Sequence, residues 1–157
     1  MRKFFIISLL FLSSSLLFAK NLKPEEVKYQ EIVEFPGIEA DVLYEKAKSS
    51  LVNHFKSSKA VIQYEDKEQG RIKGRAWTEV IYALTPVNTW FTITIDVKDE
   101  KLRITFTDMR LPGVFSGKDD ETLMSLPMQL EKFSKQAKKL IEAIKTDIIS
   151  DADNDDW

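Results

Sequence analysis

The chain has 157 residues, of which 43% are hydrophobic and 31% charged, with one histidine, no cysteine and a formal charge of −2. That length holds one domain around one core, and the composition is that of a globular chain, not a disordered one. The missing cysteines exclude disulfides, thiol catalysis and cysteine-ligated metals, and the weak negative charge disfavours nucleic acid and other polyanions.

Arg2 and Lys3 precede an apolar run from Phe4 to Leu17 that ends at Phe18-Ala19-Lys20. This is the pattern of a secretory signal peptide, residues 1–19, cleaved after Ala19, although Leu17 stands where a small residue is preferred. The run is shorter than the ~20 residues that span a bilayer, so no stable membrane span is expected after cleavage. No cysteine follows the run, which excludes a lipid-modified N-terminus, and loss of Arg2 and Lys3 takes the formal charge to −4. The expectation is an exported protein, periplasmic or secreted, with a single domain over residues 20–150 and an acidic disordered tail over 151–157.

After a leader containing Pro24, the residues Val27, Tyr29, Glu31, Val33 and Phe35 alternate with Lys28, Gln30, Ile32 and Glu34. That period of two predicts a first strand, ended by Pro36-Gly37. From Ala40 the period changes to that of a helix, with Leu43, Ala47, Leu51 and Phe55 on one stripe. No clean N-cap precedes it, and only Glu39 or Asp41 suits the helix dipole.

Four strands are predicted next. Ala60, Ile62 and Tyr64 oppose Val61, Gln63 and Glu65; in a strand from Gly74 to Leu84, expected to be central, Ala76, Val80, Tyr82 and Leu84 oppose Arg75, Trp77, Glu79 and Ile81. Phe91, Ile93, Ile95 and Val97 oppose Trp90, Thr92, Thr94 and Asp96, and Leu102, Ile104 and Phe106 oppose Lys101, Arg103, Thr105 and Thr107. Short connections at Asp66 to Gly70, Thr85 to Asn88 and Asp99-Glu100 imply antiparallel hairpins. Leu111-Pro112-Gly113 opens a loop to Asp120, and residues 119–125 are read as a short turn. Leu130, Phe133, Ala137, Leu140, Ile141, Ile144 and Ile148 mark a long amphipathic helix, with Ser125 as its cap and Pro127 in its first turn. The order β-α-β-β-β-β-α predicts a two-layer α+β fold: an antiparallel sheet with both helices on one face and the other face open.

Val33-Glu34-Phe35-Pro36-Gly37, Leu43-Tyr44-Glu45-Lys46-Ala47, the run from Ile62 to Gly74 and Lys101-Leu102-Arg103-Ile104-Thr105-Phe106-Thr107-Asp108 resemble a bacterial exported family. It is a domain of unknown function described as having a TATA-binding-protein-like (TBP-like) fold. The resemblance covers roughly residues 27–110 and implies the same topology. It carries over no catalytic residue, because that family has no assigned activity.

Candidate sites are few. His54 is alone, without partners at the spacing of a triad or a metal site, and suits the C-terminus of a helix. Asp151, Asp153 and Asp155 imitate the start of a calcium loop, but Asp156 stands where glycine is required and the distant glutamate is missing. Asp66, Glu68 and Asp108 are carboxylates in turn-like surroundings, and Gly70 and Gly74 form no phosphate-binding pattern. The suggestive feature is the polar sheet face, where Trp77, Trp90, Arg75 and Arg103 would offer aromatic and cationic contacts to a protein, peptide or glycan. A non-enzymatic envelope or periplasmic binding module without cofactor or metal is therefore expected. The alternative is a carrier of a small apolar ligand or lipid, with a pocket between the sheet and the C-terminal helix.

Overall fold

The computed structural model describes residues 21–55, 61–112 and 121–153. The predicted signal segment, Ala60, the loop from Gly113 to Asp120 and residues 154–157 lie outside them. A short 3-10 turn, Pro24–Glu26, leads into β1 (Tyr29–Glu34), α1 (Ala40–Phe55), β2 (Val61–Asp66), β3 (Arg71–Tyr82), β4 (Thr85–Lys98), β5 (Lys101–Pro112), β6 (Glu121–Leu123) and α2 (Pro127–Asp153). The strands form one antiparallel sheet in the order β1-β5-β4-β3-β2, with β6 beside the end of β5. The expected two-layer α+β fold is thus present. β4 is the central strand, however, and β3 lies one place from the edge.

Alternation decides the layers. Ile72, Ala76, Val80, Phe91, Ile93, Ile95, Leu102, Ile104 and Phe106 are buried on one sheet face, under Leu43, Ala47, Leu51 and Phe55 of α1 and Phe133, Ala137, Ile141, Ile144 and Ile148 of α2. Phe91, Phe106 and Phe133 meet edge to face, with centroids 5.4, 5.4 and 5.8 Å apart, and Phe55 stands 6.2 Å from Phe91. Each such pair adds about 0.5–1.5 kcal/mol to the burial of its rings. Among the described residues no helix is long and apolar enough to cross a membrane.

Two bulges break the simple alternation. Ile62 pairs with Gly74 but Tyr64 with Lys73, so Gln63 is extra and Tyr64 turns from the expected core face to the open one. There it is 45% exposed and donates its hydroxyl to Asp66 Oδ2 at 2.9 Å. In β5, Thr92 pairs with Thr107 but Trp90 with Arg110, and Asp108 has a φ of 48°. Met109 is thereby fully buried and Arg110 is turned to the open face.

The β3–β4 connection also differs from expectation. It is a two-residue turn at Ala83 and Leu84, with φ values of 47° and 71°, and Thr85 to Asn88 belong to β4. Leu84 is 95% exposed. Pro86 is accommodated because its missing N–H falls at a position that does not bond to β3 in this register. Gly70, at φ 61°, also needs its glycine: a Cβ there would stand 2.6 Å from the Val97 carbonyl oxygen.

The missing N-cap of α1 is supplied from 59 residues away. Asp99 Oδ1 in the β4–β5 turn accepts the Ala40 N–H at 3.0 Å, while Glu100 Oε1 accepts that of Gly37 at 2.8 Å. At α2 the first helical residue is Pro127, so the cap is Leu126 and not Ser125; Gln129 Oε1 reaches back to accept the N–H groups of Ser125 and Leu126 at 3.2 and 3.1 Å. α2 continues through Asp153, so the acidic segment begins inside the helix.

Asp99→Ala is expected to lower the free energy of unfolding by about 1 kcal/mol, the usual value of a cap, with Asp99→Asn retaining part of it; a urea midpoint equal to the parent's would remove the capping role. Ala83→Asn combined with Leu84→Gly is expected to raise stability by about 1 kcal/mol, since both positions require the left-handed conformation that Ala and Leu resist. Thermal melting checks this, and an unchanged or lower midpoint would show that the turn carries no such strain.

Candidate functional site on the open sheet face

Both helices cover the same side, and the other side of the sheet is left to the polar positions of β1, β5, β4, β3 and β2. Its centre is a cross-strand pair. Trp77 and Trp90 are in register on β3 and β4, with ring centroids 6.4 Å apart and planes tilted by 58°. Both are partly exposed. The Arg75 guanidinium lies over the Trp90 ring, 5.8 Å from its centroid, within the range of a cation–π contact. Arg110 faces Trp90 from the other side through β5 and is held by Asp108 Oδ1 at 2.8 Å. Thr92, opposite Arg75 and Thr107, is only 8% exposed.

Of the four residues expected here, the fold brings together Trp77, Trp90 and Arg75. Arg103 shares the face but not the place: it stands opposite Asp96 on β4, about 20 Å from Trp90 at the usual rise of a strand. There it forms a second constellation. Asp96 is bracketed by Arg71 Nε at 2.6 Å and by Arg103 Nη2 at 2.8 Å. Its side chain is 16% exposed, against 45% for Arg71 and 49% for Arg103. Burial pushes the Asp96 carboxyl up, but the hydrogen bonds and charges of the two guanidinium groups outweigh it and hold the group below the usual carboxylate range.

Arg110 was missed by the alternation of β5, which breaks at Asp108. The signal lay in the sequence as the three-residue step from Phe106 to Met109, where a period of two requires an apolar residue at 108.

The remaining candidates have local roles. His54 Nε2 stands 3.0 Å from Asp147 Oδ2 of α2 without an aligned hydrogen bond, and Ser50 Oγ donates to the same oxygen at 3.0 Å. Asp66 accepts the Gln69 N–H and the Tyr64 hydroxyl, and those bonds hold its carboxyl below the usual range. It lies on edge strand β2, with two strands between it and Asp108 on β5, so the two cannot share a proton. No cluster of three or more metal-ligating side chains occurs among the described residues. Asp151 and Asp153 lie in the last turn of α2 and not in a loop.

The family model for a domain of unknown function (DUF4468) with TBP-like fold matches residues 29–111, more than half of the chain. The chain belongs to this family. The matched span holds Trp77, Trp90, Arg75 and Arg103 and ends before α2. Among solved structures, the chain is similar to a TBP-like protein from Parabacteroides distasonis ATCC 8503, with a TM-score of 0.64 at 9% identity over 81% of this chain and 95% of the other. It is also similar to a DUF4468 family protein from Bacteroides ovatus ATCC 8483, with a TM-score of 0.61 at 14% identity over 77% and 85%. At these identities the likeness establishes the fold. None of the curated proteins matches the chain.

A carboxyl whose folded-state pKa is depressed contributes stability above its unfolded value of about 3.9, and that stability is lost as pH falls through the lower folded value. Asp96→Asn is therefore expected to be less stable than the parent at neutral pH, with the gap closing as the pH drops below about 3.9. Urea midpoints across that range measure it, and a pH-independent gap would show that Asp96 does not act through its charge.

Proposed function

We propose that this DUF4468 domain is a non-enzymatic binding module of the bacterial cell envelope, exported by its leader, that contacts a protein, peptide or glycan through the open sheet face. The observation that carries the reading is the Trp77–Trp90 pair with Arg75 over one ring. Tryptophan and arginine dominate binding hot spots because they combine large apolar area with few rotatable bonds or with a planar donor fork. Here they stand on a strand pair that the core holds rigid, so little ordering remains to oppose binding. The groups that chemistry would draw on are engaged elsewhere: His54 with Asp147, Asp66 within its own turn and Asp108 with Arg110.

A carrier of an apolar ligand would need room between the sheet and α2. The rings of Phe91, Phe106 and Phe133 occupy that interval in mutual contact, which favours the surface over the interior.

The test is calorimetric titration of the mature protein with soluble peptide and glycan fractions of its own host's envelope. Trp77→Ala and Trp90→Ala are each expected to weaken binding by about 30-fold, the loss of a hot spot of about 2 kcal/mol, while Arg103→Ala, at the far end of the face, leaves it nearly unchanged. Binding that survives both tryptophan changes sinks the reading. A small molecule retained in native mass spectrometry and released by solvent would move the function to the interior.

A further inference from the structure

β2 lies beside β3 only as far as Arg75. Among the described residues, the outer edge of β3 beyond it has no strand partner. The hairpin register, with Tyr82 opposite Thr85 and Val80 opposite Val87, directs the backbone groups of Tyr82, Val80 and Thr78 toward β4 and those of Ile81, Glu79 and Trp77 toward that free edge. α2 runs along the edge and presents Lys132, Lys135 and Lys139 to it at the i, i+3, i+7 spacing of one helix stripe. Lys132 Nζ reaches the outward carbonyl of Ile81 at 3.5 Å. Gln136 Nε2 meets Thr78 Oγ1 at 3.4 Å. Between them lies an open groove of about 510 Å³, lined by residues 78–81 of β3 and by these three lysines and Gln136 of α2.

We infer that this groove is a docking site for an extended acidic segment of a partner polypeptide, added as a further strand to the free edge of β3. Two features select that occupant. The outward N–H and C=O groups of Glu79 and Ile81 match the hydrogen-bonding row of an extended chain. Lys132 and Lys139 stand seven residues apart on that stripe, about 10.5 Å along the helix axis, and offer two cationic side chains to a strand whose same-face side chains repeat every ~6.7 Å, while the Lys135 ammonium is held by Glu131 Oε1 at 2.9 Å. Lysines along an exposed edge repel basic strands and blunt neutral ones. An acidic strand turns the same charges into attraction, and the groove is thereby selective in a chain whose formal charge is itself −2. This site does not use the Trp77–Trp90 surface, and it stands or falls separately from it.

The probe is a fluorescein-labelled extended peptide in which Glu alternates with Thr, followed by anisotropy at low and at physiological ionic strength. Its counterpart with Lys in place of Glu, and an acidic version N-methylated at alternate residues, serve as comparisons. The acidic peptide is expected to bind, more weakly as salt rises, with the Glu79 and Ile81 amides gaining protection from hydrogen exchange. The lysine peptide is expected not to bind, and N-methylation to abolish binding. Lys132→Ala combined with Lys139→Ala is expected to weaken binding by about tenfold with an unchanged melting curve, whereas Trp77→Ala and Trp90→Ala retain it. Equal binding of the N-methylated peptide, or unprotected Glu79 and Ile81 amides, would reduce the site to diffuse charge attraction and overturn the proposal. So would full affinity in the lysine variant, or self-association of the full chain that displaces the peptide.

Discussion

Where β4, β5 and α2 cross, the rings of Phe91, Phe106 and Phe133 interlock edge to face, and the layout of the molecule follows from that contact. It draws the long C-terminal helix onto the same sheet face that α1 already covers through Leu43, Ala47, Leu51 and Phe55. With both helices on one side, no described helix covers the outward positions of the sheet. Threonines, arginines and the tryptophan pair at those positions meet that condition, since they suit a solvated pleated surface and retain the capacity for contact.

The same helix placement creates the second surface. α2 crosses near the β3 hairpin, and its lysine stripe falls beside the edge of β3 that lies beyond the described pairing with β2. The open face and the edge groove thus share β3 but use different atoms of it. The face uses the Trp77 side chain; the groove uses backbone groups of Glu79 and Ile81.

Long-range backbone ties stiffen the end of the sheet remote from the tryptophans. The β4–β5 turn accepts the N–H groups of Gly37 and Ala40 through Glu100 and Asp99 and exchanges backbone bonds with Phe35 and Ile38, so the entry into α1 is set by a turn that lies far along the chain. At the other end of α1, Asp147 of α2 receives Ser50 and faces His54. α1 is therefore anchored to the sheet at its start and to α2 at its end.

Periodicity alone determined most of the architecture, because side-chain alternation and the helical stripe are local consequences of backbone geometry. The stripe of α1, the stripe of α2 and the apolar faces of β4 and β5 could be read directly, as could a polar face carrying Trp77, Trp90 and Arg75. What depended on a partner distant in sequence could not be read. The bulges at Gln63 and Asp108 reverse the sense of alternation, so Tyr64 and Arg110 reach the open face only when the neighbouring strand sets the register. The cap of α1 comes from Asp99, and no local pattern marks an aspartate in a turn as the acceptor for a helix 59 residues away. The turn at Ala83-Leu84 lacks glycine or asparagine, and only the pairing of β3 with β4 imposes it. Whether arginines and tryptophans that alternate along different strands share one patch is likewise a matter of strand order and register, which placed Arg75 over Trp90 and Arg103 beside Asp96, far from both tryptophans.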